Sequence, residues 1–239
     1  MEEKNYGQSW VELAKQRDKL VGTEIVGKIK HLATSQYALN INHNDLLSLI
    51  NSYEADWKIW ALENRPKLEA LQREFLRLLH NYLSSIFSLI EHTYAFRKDL
   101  NNLELDRFYD EKLKELRVNE SITFLKDLRT FTQHYKLPFV TARLSFTATN
   151  PARGEGISEQ KLILDKNNLI SWDRWCADSK TFLNKQEKEI NIKILIKEYQ
   201  KLIEDFYDLF YNKVATLYEK EIMELFNIEK EMFSLQEEH

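Results

Sequence analysis

The sequence has few residues that bend or interrupt a polypeptide, with five glycines and three prolines among 239 residues. Sheet-rich sandwiches need many tight turns, and glycine and proline supply the backbone conformations of most such turns. Their scarcity therefore predicts few turns and long elements, as in a mostly α-helical fold. With 43% hydrophobic residues, 12% of all residues being aromatic, the chain can fill a sizeable core. We expect a single helical domain over residues 1–239.

Cysteine is nearly absent. The one cysteine, Cys176, excludes a disulfide within the chain and has no CxxC context. His31 and His43 have no carboxylate or cysteine companions at metal-ligand spacing. A glycine-rich phosphate loop is also missing. We therefore expect neither a metal ion nor another cofactor.

Targeting and membrane-spanning segments are missing as well. No run of about 18 uncharged apolar residues occurs, so we expect no helix that crosses a bilayer. The first residues, MEEKNYGQSW, lack the basic and apolar regions of a signal peptide. The expected location is the cytoplasm.

A net charge of -4 provides no overall attraction to a polyanion. Binding of a nucleic acid would instead need a local basic surface, and residues 123–154 offer one. In that segment a single acid, Asp127, stands among five cations: Lys126, Arg129, Lys136, Arg143 and Arg153. Aromatic residues are interleaved with them. Residues 123–154 are therefore the candidate surface for a nucleic acid.

Apolar spacing predicts helices through the first half of the chain. Residues 1–32 suggest one or two modest helices, and Tyr37–Ile41 suggests a connector or short strand. Asn44 is a plausible N-cap for a helix that ends near Leu62. That helix would end just before the long helix predicted to start near Pro66.

Pro66 lies where the first turn of a helix tolerates proline, and apolar residues then recur at spacings of three and four to about Leu100. This pattern predicts a long central helix, with a shorter one at Leu103–Leu116. A further helix from Ser121 to about Tyr135 has an apolar face, and Pro138 would end it.

Alternating residues at 139–165, with an Asn-Pro-Ala-Arg-Gly-Glu-Gly turn, predict a two-stranded β-hairpin inserted among the helices. Ser171 is the expected N-cap of a helix that carries Trp172 and Trp175. Residues 189–236 show nearly heptad apolar spacing, which favours one long C-terminal helix. The alternation Ile190, Ile192, Ile194, Ile196 would also suit a strand, which leaves the start of that helix open.

The helix near residue 130 contains the segment LRTFTQHY, in which Arg129 and His134 are separated by four residues. It resembles the motif-bearing helix of the HEPN superfamily, whose ribonucleases have an arginine, four to six residues and a histidine. Thr130 stands where that family commonly has asparagine. Arg73 and His80 show the same pattern with six residues between them, but the later pair lies in the basic, aromatic segment.

The resemblance implies a metal-independent endoribonuclease in which the ribose 2′-hydroxyl attacks the neighbouring phosphate. His134 would transfer protons and Arg129 would hold the phosphate. As a biological role it implies a growth-arresting toxin or a phage-defence effector, with an antitoxin as a possible partner. We expect six further residues to contact the substrate: Thr130, Lys136, Arg143, Asn81, His80 and His92.

Five residues along a regular helix separate two side chains by roughly 140°. Arg129 and His134 would then flank the apolar face on opposite sides. They can meet only if the last helical turn is loosened or if a second copy supplies one of them, so the catalytic hypothesis includes a homodimer.

Two other hypotheses remain. In one, the chain is a non-catalytic protein that binds a protein partner through its long C-terminal helix; in the other, it binds RNA without cleaving it. In both cases Arg129 would be a surface cation, and His134 would stabilise the C-terminal end of its helix through the helix dipole.

Overall fold

The computed structural model describes residues 2–150, 153 and 155–237. Within these residues, nine α-helices and three β-strands follow in the order α1 (Glu2–Arg17), α2 (Val21–Ala55), α3 (Arg65–Leu100), α4 (Leu103–Arg117), α5 (Glu120–His134), β1 (Val140–Asn150), β2 (Glu155–Asp165), α6 (Lys166–Ile170), α7 (Ala177–Lys185), β3 (Glu189–Asn191), α8 (Ile192–Leu217) and α9 (Glu219–Glu237). The mostly α-helical prediction is confirmed. None of the helices in the described ranges is long and apolar enough to cross a membrane.

Helix α3 is the central element, and it begins with Pro66 in its first turn as expected. Its apolar side includes Phe75, Tyr82 and Leu83, all fully buried. The Tyr82 hydroxyl donates to the carbonyl of Ile196 in α8 at 3.4 Å. Buried polar groups that are paired in this way cost little stability. The helix ends at Asn101, whose φ of 46° is the left-handed conformation typical of helix C-termini.

Helix α2 differs from the expectation for the first 62 residues. It runs without a break from Val21 to Ala55, so Tyr37–Ile41 is helical and Asn44 lies inside the helix rather than capping it. The reason is a continuous buried stripe on one side of α2, formed by Leu32, Leu39, Leu46, Ile50 and Tyr53. Burial of that stripe outweighs the local preferences of polar residues.

The segment after the hairpin also differs. Ser171 ends α6 instead of capping a helix, and Trp172 and Trp175 lie in the connection to α7. Both indoles are buried there, and the Trp175 ring nitrogen donates to the Leu169 carbonyl at 2.8 Å. A connection of irregular shape places the two rings at an angle of 89° to each other, in an edge-to-face arrangement.

The predicted helix at 189–236 is divided into three elements. Residues Glu189–Asn191 form β3, which pairs with β2 and extends the hairpin to a three-stranded sheet. Helices α8 and α9 then meet at Tyr218, whose hydroxyl accepts a hydrogen bond from the Asn102 side chain at 3.3 Å. The heptad spacing therefore belongs to two helices: α8 packs against α2 and α4, whereas α9 packs against α1 and α2.

Helices α2 and α9 cross closely at Gly22. A β-carbon at this position would collide with the backbone carbonyl of Glu221, whereas a β-carbon at Gly27, in the same helix, would meet open space. Only hydrogen on the α-carbon allows the two backbones to approach this far.

We predict opposite effects of alanine at these two glycines. Gly22→Ala should lower the free energy of unfolding by about 1–3 kcal/mol, because α9 must move away. Gly27→Ala should raise it by about 0.5–1 kcal/mol through helix propensity. Urea unfolding followed by circular dichroism measures both. If Gly22→Ala proved as stable as Gly27→Ala, the close crossing would be disproved.

Candidate functional site

Helix α5 carries both residues of the motif. It starts where Asn119 accepts a hydrogen bond from the Ser121 amide at 3.0 Å, a typical N-cap. Its apolar face is buried through Phe124, Leu128 and Phe131. The helix remains regular to His134, and Tyr135 then leaves the helical conformation. Arg129 and His134 consequently lie on opposite flanks of the buried face, as the helical angle predicts.

Arg129 points towards α3. The carbon of its guanidinium lies 3.9 Å from the centre of the Phe87 ring, within the range of a cation–π contact. Its Nε is buried and forms no hydrogen bond, and among the described residues no carboxylate lies within 4.0 Å of the guanidinium. Arg129 is therefore a half-buried cation without an anionic partner.

His134 points in the other direction, into an open cleft of about 330 Å³. Its side chain is exposed, and the cleft is formed by α5 and the connection between α6 and α7. The residues that line it are Asp127, Thr130, His134, Tyr135, Trp172, Asp173 and Arg174. An imidazole, a guanidinium and a half-exposed phenol ring thus share one cleft.

Asp127 holds the far wall of this cleft in place. Its carboxylate accepts hydrogen bonds from the Cys176 amide at 3.0 Å and from the Ser179 hydroxyl at 2.8 Å. These bonds join α5 to the start of α7. Aromatic packing supports the same wall, because the Phe131 and Trp175 rings stack with centroids 5.5 Å apart.

The six expected substrate contacts do not form one group. Thr130 lines the cleft of His134, and Lys136 lies near it, where its ammonium donates to the Ser171 hydroxyl at 3.3 Å. Arg143 belongs to the hairpin and forms an ion pair with Glu189. It lines a different cleft, between β1 and the end of α7.

The expected residues on α3 also divide. The His92 ring nitrogen lies 2.5 Å from the Ser35 hydroxyl of α2, in a pocket away from α5. Asn81 and His80 are both half-buried. The side of α3 that faces Arg129 carries Ser84 instead. The Ser84 hydroxyl accepts a hydrogen bond from the Gln133 side chain of α5 at 3.4 Å.

Arg174 and Trp172 line the cleft but were not predicted as site residues, and the role of Asp127 was not predicted either. A partial signal was present, because Asp127, Thr130 and His134 recur at spacings of three and four and therefore share one flank of α5. No local signal placed Arg174 beside them, since it is 40 residues further along the chain and lies in an irregular connection. Within the described residues, no group of three or more histidines, cysteines and carboxylates is arranged to hold a metal ion.

Comparison of the chain with known protein families, with curated proteins and with solved structures finds no match. Function must therefore be inferred from the chemistry of the cleft and of Arg129.

We predict that Asp127→Ala destabilises the protein by about 1–3 kcal/mol, because the Cys176 amide and the Ser179 hydroxyl lose their acceptor. Asp173→Ala is the matched control, since it removes an exposed carboxylate from the same cleft and should change stability by less than about 0.5 kcal/mol. Thermal unfolding of both variants tests this. Equal losses would contradict the structural role of Asp127.

Proposed function

We propose that the protein is a metal-independent endoribonuclease of the HEPN type, with His134 as the residue that transfers protons. The observation that supports this proposal is that the exposed imidazole of His134 shares a cleft with the cation of Arg174 and the Tyr135 ring. An imidazole is suited to proton transfer near neutral pH, a guanidinium to binding phosphate, and an exposed aromatic ring to stacking on a base.

In the proposed reaction, neutral His134 accepts the proton of the ribose 2′-hydroxyl while the 2′ oxygen forms a bond to phosphorus. The bond from phosphorus to the 5′ oxygen breaks, and the leaving 5′ oxygen takes a proton from water. The products are a 2′,3′-cyclic phosphate and a 5′-hydroxyl. A guanidinium beside the phosphate stabilises the charge that develops on its oxygens.

Two assemblies can supply that guanidinium. In the first, Arg174 of the same chain acts in the cleft of His134. In the second, a second copy supplies Arg129, as the HEPN resemblance implies. The state of Arg129 is compatible with the second assembly, because a half-buried cation without an anionic partner favours binding of a phosphate.

The first test is cleavage of a fluorescent single-stranded RNA in EDTA. We expect cleavage by the unaltered protein, and a decrease of about 10²–10⁴-fold in His134→Ala. Arg65→Ala is the control, because this arginine is exposed at the start of α3 and outside the cleft. A protein that leaves RNA intact, or a His134→Ala variant as active as the unaltered chain, would disprove the proposal.

Arginine variants distinguish the two assemblies. If Arg174 binds the phosphate, Arg174→Ala should lose most of the activity and Arg129→Ala little of it. If a second copy supplies Arg129, mixing inactive Arg129→Ala with inactive His134→Ala should restore activity, because each mixed dimer contains one intact site. Random mixing predicts recovery of about a quarter of the original rate. The absence of recovery would exclude the two-chain site.

A non-catalytic function in protein binding is the second candidate. The hairpin favours it, since Phe146 and Ile157 are about two-thirds exposed there, at 65% and 64%. Exposed apolar side chains on a protruding element are typical of interaction surfaces. In that case His134→Ala should leave binding of the partner unchanged.

A further inference from the structure

Strand β1 is an edge of the sheet, whose order is β1-β2-β3. One side of β1 pairs with β2 along its length. On the other side the Gln72 side chain donates to the carbonyl of Val140 at 3.4 Å, and the residues from Arg143 onward are mostly exposed. An unpaired edge of this length is a template for another strand.

The backbone groups that face outward can be identified. The Asp165 amide donates to the Phe139 carbonyl at 3.2 Å, and residues of an antiparallel strand alternate in the direction of their hydrogen bonds. Odd-numbered residues of β1 therefore bond to β2, and even-numbered residues present their amide and carbonyl to solvent. The outward carbonyl of Val140, bound by Gln72, agrees with this alternation.

The exposed part of β1 is partly symmetric in sequence about Ser145. Residues 141–149 read TARLSFTAT, centred on Ser145. When this segment is reversed, Thr141 and Thr149 change places, and so do Ala142 and Ala148. Two of the four residue pairs around Ser145 are thus identical, and a two-fold axis at Ser145 would place Arg143 opposite Thr147 rather than opposite a second arginine.

Side-chain chemistry also fits pairing of β1 with itself. Leu144 is 45% exposed and Phe146 65% exposed. Antiparallel pairing about Ser145 would place Leu144 of each copy opposite Phe146 of the other, which gives two apolar cross-strand pairs. The Phe146 ring is already held over Gly156, where a β-carbon would collide with it. The ring is therefore positioned before any partner arrives.

Natural edge strands are usually protected by lysine, proline or an early bulge. Residues 141–149 contain no proline, and their one charged residue is Arg143. Its charge is matched by Glu189 of the same chain. The register shift of β1 lies between Ala148 and Asn150, at the end of this segment. From Thr141 to Ala148 the strand therefore has neither a proline nor a bulge.

We propose that a second copy of this chain pairs with β1 in antiparallel fashion, with the two-fold axis at Ser145. Two three-stranded sheets then become one continuous sheet. In this arrangement the two Val140 residues are ten residues apart along the paired strands, or about 33 Å. In this dimer the His134 clefts of the two copies do not meet. The inference therefore does not depend on the proposed ribonuclease function.

Disulfide trapping tests the register. In a Cys176→Ser background, Ser145→Cys should form a covalent dimer on mild oxidation. The two residues would be a non-hydrogen-bonded pair with α-carbons about 4.5 Å apart, within the range that a disulfide spans. Thr147→Cys is the matched control, because it would face Arg143 of the second copy and should form no covalent dimer. Arg143→Cys and Thr147→Cys should cross-link when mixed and not alone.

Light scattering tests the interface without cysteine chemistry. We expect the unaltered protein to have twice the mass of the 28.6 kDa chain. The double variant Leu144→Glu, Phe146→Glu should be monomeric yet keep its helical circular dichroism, because both positions are exposed and the pairing would place carboxylate opposite carboxylate. An unaltered protein that is monomeric at high concentration, as expected if a different protein supplies the strand, would overturn the proposal. A dimer that survives the double variant would also overturn it.

Discussion

Burial of one side of α3 is the constraint on which the rest of the structure depends. One side of this 36-residue helix packs against α2 and α8, and the aromatic ring of Tyr82 meets that of Tyr199 edge to face at 6.4 Å. The hydroxyls of Thr93 and Tyr207 lie 2.5 Å apart in the same interface, so polar groups are paired where α3 and α8 pack. The opposite side of α3 receives Arg129 and Gln133 through Phe87 and Ser84. The position of α5, and with it the candidate site, follows from these contacts.

Helix α5 has two chemically different flanks. On one, Asp127 anchors the wall of a cleft that contains His134 and Arg174. On the other, Arg129 lies on an aromatic ring without an anion. A single regular helix cannot turn both flanks towards the same phosphate, because side chains five residues apart diverge by roughly 140°. The two residues of the motif therefore lie on different surfaces of each chain. Whether the phosphate is held by a cation of the same chain or by Arg129 of a second copy depends on the oligomeric state.

Local patterns were sufficient for the elements with strong start and stop signals. Pro66 lies in the first turn of α3, Pro138 follows the end of α5, and the hairpin lies where alternating residues predicted it. Predictions failed where a tertiary contact outweighed a local preference. Tyr37–Ile41 is helical because α2 buries a continuous stripe. At the start of the last segment the alternative of a strand is correct for Ile190, which pairs with Leu164 of β2. In the site, Thr130 lines the cleft of His134, whereas His92 faces α2 and Arg143 forms an ion pair with Glu189.

By itself the sequence determined the helical class, the limits of α3 to α5 and the angle between Arg129 and His134, because each depends on residues close together in the chain. Only the tertiary structure decided what fills the two flanks of α5 and which edge of the sheet stays open. Phe87 is 42 residues from Arg129 and Arg174 is 40 from His134, and contacts over such separations arise from packing of whole elements, which no local pattern encodes. Arg129 and His134 form one motif in the sequence, whereas in the fold Arg129 is a half-buried cation against α3 and His134 lies in an open cleft on the other flank of α5.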